Sequence, residues 1–307
     1  MDVDVAGIHL QNPVLAASGT FAYGVEFASI LDLDALGGFV VKGLSRNPMD
    51  GNKPPRIWEA HGGMINSIGL QNIGVREFVA NKLPGLQHLK KAKVFANVFG
   101  YAVEDYEEVI RVLEDAPGLA GYELNVSCPN TKHGGIAFSS DPAMLAEVVA
   151  ACRKAAVKRP IIVKLSPNVA RIEPLAKAAE EAGADALSMV NTFISLAVDA
   201  RARKPRIGAG FGGLSGPAIK PIALRLVYEA SKAVKIPIIG LGGIASGEDA
   251  AEFLVAGASA VEVGTASFWD PQSTTRIARE LARFCEEEQL ESVRDLIGTL
   301  RWPGAKG

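Results

Sequence analysis

Cysteine is scarce in this chain: Cys128, Cys152 and Cys285 are the only three among 307 residues, and they lie far apart. No pair has the spacing of a zinc knuckle or a redox motif. That argues against a disulfide framework, a metal site and an iron–sulfur cluster on this chain, and makes a reduced, cytoplasmic protein the default. Charge of one sign is lacking as well. A net charge of −2 leaves no electrostatic footprint for nucleic acid or an anionic membrane. No run approaches the roughly 20 uninterrupted apolar residues of a membrane span. The opening residues, Met1 to Val5, carry neither a basic region nor a long apolar stretch, so no secretory leader is expected. Linkers, charge blocks and low-complexity stretches are missing too, so residues 1–307 read as one domain.

What is there is alternation. The chain is 48% apolar and 21% charged, enough for a large core and unlike a disordered sequence. Eight short apolar runs recur: 13–18 (PVLAAS), 39–42 (FVVK), 94–98 (VFANV), 122–126 (YELNV), 161–165 (IIVKL), 186–191 (ALSMVN), 237–241 (PIIGL) and 260–264 (AVEVG). Apolar runs bounded by Gly or Pro suit strands of a parallel sheet covered on both faces. Helical patterns fall between them at 104–114, 142–156, 172–182, 217–233 and 247–256, with closing helices from about Gln272. Eight strands with mostly helical crossovers predict an α/β chain folded as a closed (β/α)8 TIM barrel, a fold of roughly 250 residues, rather than an open sheet. Residues 3–10, with Ala6-Gly7 inside, predict a small N-terminal β-hairpin plugging the barrel bottom.

Active sites of such barrels gather at the C-terminal ends of the strands. The runs end at or carry Ser18-Gly19-Thr20, Lys42-Gly43, Asn97, Asn125 followed by Ser127-Cys128-Pro129-Asn130, Lys164 with Ser166, Asn191-Thr192, Gly242-Gly243, and Gly264-Thr265. Any one of these could be structural, but packing alone does not send eight polar residues or glycines to one rim. Lys42 and Lys164 are the sharpest cases, because a lysine inside an apolar strand needs an anionic partner. The glycine-rich ends of the last two runs suit a phosphate held by backbone N–H groups and a helix N-terminus, as in FMN. Gly208, Gly210 and Gly213 match G-x-G-x-x-G, but they follow a basic loop rather than a strand, and Ser215-Gly216-Pro217 intervene before the next helix. A dinucleotide fingerprint needs strand, turn and helix in succession, so the segment reads as a flexible loop crossing the barrel mouth.

Residues 125–135 (NVSCPNTKHGG), 66–72 (NSIGLQN) and 212–221 (GGLSGPAIKP) together resemble the class 1 dihydroorotate dehydrogenases, and the resemblance runs from Asn12-Pro13 to the last strand. It implies FMN at the C-terminal mouth, touching Ser18, Lys42, Gly43, Asn97, Asn125, Lys164, Val190, Gly216, Gly242, Gly243, Gly264 and Thr265. It implies dihydroorotate held by Lys42, Asn66, Ser67, Ile68, Gly69, Leu70, Asn125, Asn191 and Thr192, with Cys128 as the catalytic base.

The chemistry implied by the resemblance is self-consistent. Oxidising a saturated C–C bond beside a carbonyl requires a proton to leave one carbon and a hydride its neighbour. FMN takes the hydride, and a thiol of ordinary pKa about 8.5 can take the proton once activated. Lys164 would stabilise negative charge on the reduced flavin. Cys152 and Cys285, within helical patterns, read as inert buried thiols. The segments Lys132-His133-Gly134-Gly135 and Gly213–Pro217 (numbers 213–217) resemble the B-type enzyme, a homodimer core joined by an FAD and iron–sulfur subunit in a heterotetramer that delivers electrons to NAD. The alternatives are a fumarate-linked A-type enzyme, a dihydropyrimidine dehydrogenase-like flavin enzyme, and a catalytically silent scaffold.

Overall fold

A computed structural model of the chain describes residues 1–127, 129–130 and 136–303. Eight parallel strands form a closed barrel. They are β1 (Val14–Ala16), β2 (Gly38–Val40), β3 (Lys93–Val98), β4 (Gly121–Asn125), β5 (Ile161–Lys164), β6 (Ala186–Met189), β7 (Ile238–Leu241) and β8 (Ala260–Val263). Each pairs with its neighbours in sequence, and β8 closes on β1 through Val261 opposite Val14, Glu262 opposite Leu15 and Val263 opposite Ala16. All eight runs expected from the sequence are barrel strands. Three end two residues earlier than expected: β1 stops at Ala16, β2 stops at Val40, so Lys42 lies just beyond it, and β6 stops at Met189, releasing Val190, Asn191 and Thr192 to the rim.

The longer helices are α1 (Val103–Glu114), α2 (Pro142–Ala155), α3 (Glu173–Glu181), α4 (Lys220–Ser231), α5 (Gly247–Val255) and α6 (Ser273–Glu287). Their starts are chemically marked. The Asp141 carboxylate accepts the N–H groups of Ala143 and Met144, and Ser246 with Asp249 forms a reciprocal cap on α5. The segment expected to be one helix over 217–233 begins as a 3₁₀ turn, Pro217–Ile219, before α4. Short 3₁₀ turns replace a helix after β1. The N-terminal hairpin pairs Val3–Val5 with Ile8–Leu10. Ala6 and Gly7 at its tip take φ of 53° and 76°, the positive values a tight hairpin turn demands. Its inward side chains Val3, Val5 and Leu10 are buried in the main core.

The segment read as a flexible loop is instead a strand. Phe211–Ser215 is bonded on one side to Phe193–Leu196 and on the other to Gly63–Asn66, which pairs in turn with Ile57–Ala60. The glycines serve close lateral packing. A Cβ on Gly213 would lie within bonding-like distance of the Thr192 side chain, and one on Gly216 would meet Gly63 Cα at 2.8 Å. This antiparallel sheet comes from the loops after β2 and β6, and so stands on the C-terminal side of the barrel.

The outer helices interlock closely. A Cβ on Gly247, at the start of α5, would meet the Leu281 nitrogen of α6 at 2.5 Å, and the Gly247 N–H donates to Glu280 Oε2 at 2.8 Å. Leu281 and Ile277 of α6 are fully buried. No helix among the described residues is long and apolar enough to cross a membrane. Leu281→Ala is expected to lower the unfolding free energy by about 2–5 kcal/mol, the range for emptying a packed leucine site. Urea unfolding measures it, and a loss below about 1 kcal/mol would mean that α6 is not part of the cooperative core.

Candidate active site

The strand ends and the antiparallel sheet enclose one cavity of about 1340 Å³. Ser18, Lys42, Gly43, Asn97, Asn125, Lys164, Val190, Gly216, Gly242, Gly243, Gly264 and Thr265 all line it, as do Asn66 through Leu70, Asn191 and Thr192. Every candidate site residue within the described part of the chain is therefore brought to one place. Cys128 lies outside the described residues, as do 132–135. Its neighbour Ser127 lines the cavity, where the Ser127 hydroxyl accepts from Asn191 Nδ2 at 3.0 Å.

The floor of the cavity is ionic. Lys164, the last residue of β5, is 4% exposed, and its Nζ lies 3.1 Å from Glu262 Oε2 and 3.3 Å from Glu123 Oε2. It also donates to the Ser18 hydroxyl at 3.4 Å. The anionic partner that a strand lysine requires is thus supplied from within, by glutamates of β4 and β8. Both glutamates escaped notice in the sequence. The signal was a carboxylate inside an apolar run, in YELNV and AVEVG, but it sits in mid-strand rather than at the strand ends where active-site residues were sought. Burial alone would strip the charge from Lys164, yet the two carboxylates outweigh it and raise its pKa above the ordinary lysine range.

Glu123 is fully buried and well provided with donors: Asn97 Nδ2 at 2.6 Å and the Ser188 hydroxyl at 2.8 Å. Burial opposes its charge, but the Lys164 ammonium and these donors pull its pKa below the usual carboxylate range. Because the Asn97 amide nitrogen donates to Glu123 and to the Ser18 hydroxyl, its Oδ1 is left as an acceptor, and a Cβ on Gly43 would sit 2.9 Å from that oxygen. Glycine at 43 keeps the space beside the acceptor open.

Lys42 differs from Lys164. It is only partly buried and has no carboxylate partner among the described residues. Burial, and then the nearby Arg56 charge, lower its pKa. A desolvated cation without a counter-ion, inside a cavity, is prepared for an anionic ligand. Around the same cavity runs a row of amides. Asn191 Nδ2 donates to Asn125 Oδ1 at 3.3 Å, Asn191 Oδ1 accepts the Thr192 N–H at 2.8 Å, and Asn66 Nδ2 reaches Gly213 O at 3.5 Å. Asn168, unmarked in the sequence reading, braces this row from the loop after β5 by donating to Thr192 O at 3.0 Å. At the end of the adjacent strand β7, Gly242 and Gly243 take φ of 127° and 85°, a backbone path closed to most side chains. A Cβ on Gly243 would meet Gly216 O and the Lys220 nitrogen at 2.9 Å.

A parallel (β/α)8 barrel whose strand ends converge on a polar cavity defines an enzyme of the TIM-barrel class, with its chemistry at the C-terminal mouth. The family model for dihydroorotate dehydrogenase matches residues 1–285. A Solibacter usitatus protein provisionally named dihydroorotate dehydrogenase A (fumarate) is 72% identical over 298 residues, 97% of each chain. A Pelobacter propionicus protein named as the catalytic subunit of dihydroorotate dehydrogenase B (NAD(+)) is 52% identical over 300 residues, 98% of each chain. A Geobacter metallireducens protein of the same name is 50% identical over 301 residues, 98% of each chain. The chain belongs to the dihydroorotate dehydrogenase family, a family of FMN-dependent oxidoreductases.

The ionic floor makes a pH-dependent prediction. Lys164→Met leaves two buried carboxylates without a counter-ion, and breaking a buried pair costs about 3–5 kcal/mol. Both carboxyl pKa values would then be raised in the folded state. Stability tied to a raised carboxyl is present at low pH and lost as pH rises through the folded value. Thermal unfolding of ligand-free protein should therefore show a larger deficit for the variant at pH 8 than at pH 5. An equal deficit at both would mean that the cost is packing, not charge.

Proposed function

We propose that this chain oxidises (S)-dihydroorotate to orotate, the redox step of pyrimidine (UMP) synthesis, with FMN as the hydride acceptor. The observation that carries this reading is the meeting, in one cavity, of Lys42, which has no carboxylate partner among the described residues, the amide row Asn66, Asn125, Asn191 and Thr192, and the glycine path at 242–243, in a chain of this family. The cavity fits the flavin chemically. Lys164, Ser18 and the Asn97 acceptor suit the polar edge of its ring, and Gly242, Gly243, Gly264 and Thr265 suit its phosphate, with Gly43, Val190 and Gly216 flanking the ring. When bound, FMN supplies a two-electron acceptor.

Each residue then has a task. Lys42 holds the substrate carboxylate by charge, and residues 66–70 close over it from the antiparallel sheet. Asn125 and Asn191 read the amide edge of the pyrimidine, since each offers both a donor and an acceptor. The Cys128 thiolate removes the proton from one substrate carbon while the hydride leaves its neighbour. Support for this role is positional: Cys128 directly follows Ser127, which lines the cavity.

For the electron exit we favour the B-type arrangement: a homodimer core and a partner subunit carrying FAD and an iron–sulfur cluster, forming a heterotetramer that reduces NAD, in the cytoplasm. The half-identical relatives named as NAD-linked catalytic subunits support it, as do the sequence segments 132–135 and 213–217. A second reading, in which fumarate re-oxidises the flavin in the same cavity, is favoured by the 72% identical Solibacter protein. For the homodimer, we assign the second copy to the outer part of the antiparallel sheet. Phe211 lies opposite Leu196, and Ile194 is two residues along the same strand, so the three share a face. Phe211 is 65% and Ile194 68% exposed, an apolar face across the edge strand Phe193–Leu196 and its neighbour Phe211–Ser215 that packing against a second copy would cover.

Anaerobic addition of dihydroorotate should bleach the flavin absorbance of the purified chain, whereas dihydrouracil, lacking the carboxylate, should not. Cys128→Ala should keep the flavin and lose at least about 100-fold in the rate of bleaching, the usual size of a lost general base. A flavin that stays yellow with dihydroorotate would sink the substrate assignment. Turnover with fumarate by the chain alone would select the second reading, and turnover with NAD only in the presence of the partner would select the first. Separately, Phe211→Asp should convert the dimer to monomer by light scattering; a native chain that is monomeric, or a variant that stays dimeric, would remove this sheet as the contact.

A further inference from the structure

Beneath Lys164, the cavity floor holds one charge too many. Glu123, Glu262 and Lys164 are 0%, 1% and 4% exposed, so with all three ionised the floor would carry a net buried negative charge. An uncompensated buried charge is costly enough that a group protonates instead. The hydrogen bonds decide which. The two Glu123 oxygens take Asn97 Nδ2, the Ser188 hydroxyl and Lys164. Glu262 takes only Lys164, on Oε2, and its buried Oε1 meets no hydrogen-bond partner. The carboxylate with fewer donors is the one that neutralises.

Glu262 and Lys164 both line the cavity, so charge arriving from above acts on the same ammonium that Glu262 uses. The charged groups facing Glu262 are Lys164 of β5 and Glu123 of β4; Lys42 lies in the same cavity, where the charge acting on it is that of Arg56. With Glu262 neutral, Lys164 and Glu123 cancel and the floor is neutral. With Glu262 ionised, the floor is negative and repels a second negative charge.

We propose that Glu262 is a positioning residue that acts through Lys164: it carries a proton beneath the flavin and holds the cavity floor neutral when hydride arrives. The inference rests on the FMN reading above. Hydride transfer breaks the substrate C–H bond and brings two electrons and one proton, adding one negative charge to the cavity. At a pH where Glu262 is ionised beforehand, that charge makes its carboxylate take one further proton from solvent, so two protons accompany two electrons. At lower pH, where Glu262 is already protonated, only one does. Burial, followed by the Glu123 charge, pushes the Glu262 pKa up to about 8, which puts the change within reach of experiment.

The test is the midpoint potential of FMN bound to the full chain, titrated from pH 6 to 9.5, for the native protein and Glu262→Gln. The glutamine mimics the neutral acid and cannot titrate. The native slope should double, from one proton to two per two electrons, as pH rises through the Glu262 titration, and Glu262→Gln should keep the one-proton slope throughout. Identical profiles would overturn the proposal. If Glu262→Gln does not fold, infrared difference spectra of the native, flavin-free protein decide it. A protonated buried carboxyl at pH 6.5 that is lost by pH 9.5 supports the proposal, and its absence overturns it. Failure of the chain to retain FMN sinks the FMN reading instead, while the infrared measurement still reports on the Glu262 proton.

Discussion

Closure of β8 on β1 is the constraint from which the rest follows. Three residue pairs, Val261 with Val14, Glu262 with Leu15 and Val263 with Ala16, join the two ends of an otherwise open sheet. Once closed, a parallel barrel sends every strand end to the same rim, so residues as distant in sequence as Ser18, Asn97, Lys164 and Gly264 line one cavity. Closure also turns the interior dry. That gives the charges of Glu123, Lys164 and Glu262 their force, since interactions that water would screen act several times more strongly there.

The site divides into parts held by different physics. The floor is rigid and ionic, fixed by side chains on central strands. The amide row of Asn125, Asn191 and Thr192 is held by mutual hydrogen bonds at the rim, with Asn168 bracing it. The roof is the antiparallel sheet, in which Gly213 and Gly216 permit backbones to approach Thr192 and Gly63 more closely than any side chain would allow. Lys42 stands between floor and roof without a partner carboxylate among the described residues. The two lysines, alike in the sequence, therefore have opposite electrostatic situations: one meets two carboxylates, the other none among the described residues.

Much of the fold was legible in the chain because parallel barrel strands are buried on both faces and read as uninterrupted apolar runs. Their boundaries were less legible. The 39–42 run continues past β2, because Lys42 belongs to the rim although Val40 and Val41 before it are core residues. The antiparallel sheet was illegible for a different reason: Phe211–Ser215 contains two glycines, and Phe193–Leu196 alternates weakly, so neither carries the pattern of a strand. Both are strands because neighbours from distant loops supply the hydrogen bonds.

By itself, the sequence determined the eight strands, the intervening helices, the rim residues and the resemblance to the dihydroorotate dehydrogenases, because local burial and short motifs are written along the chain. Only the tertiary structure decided which anion each lysine meets. Glu123 and Glu262 lie 41 and 98 residues from Lys164, and whether a charge is paired depends on distance in space and on exclusion of water, neither of which a linear pattern records.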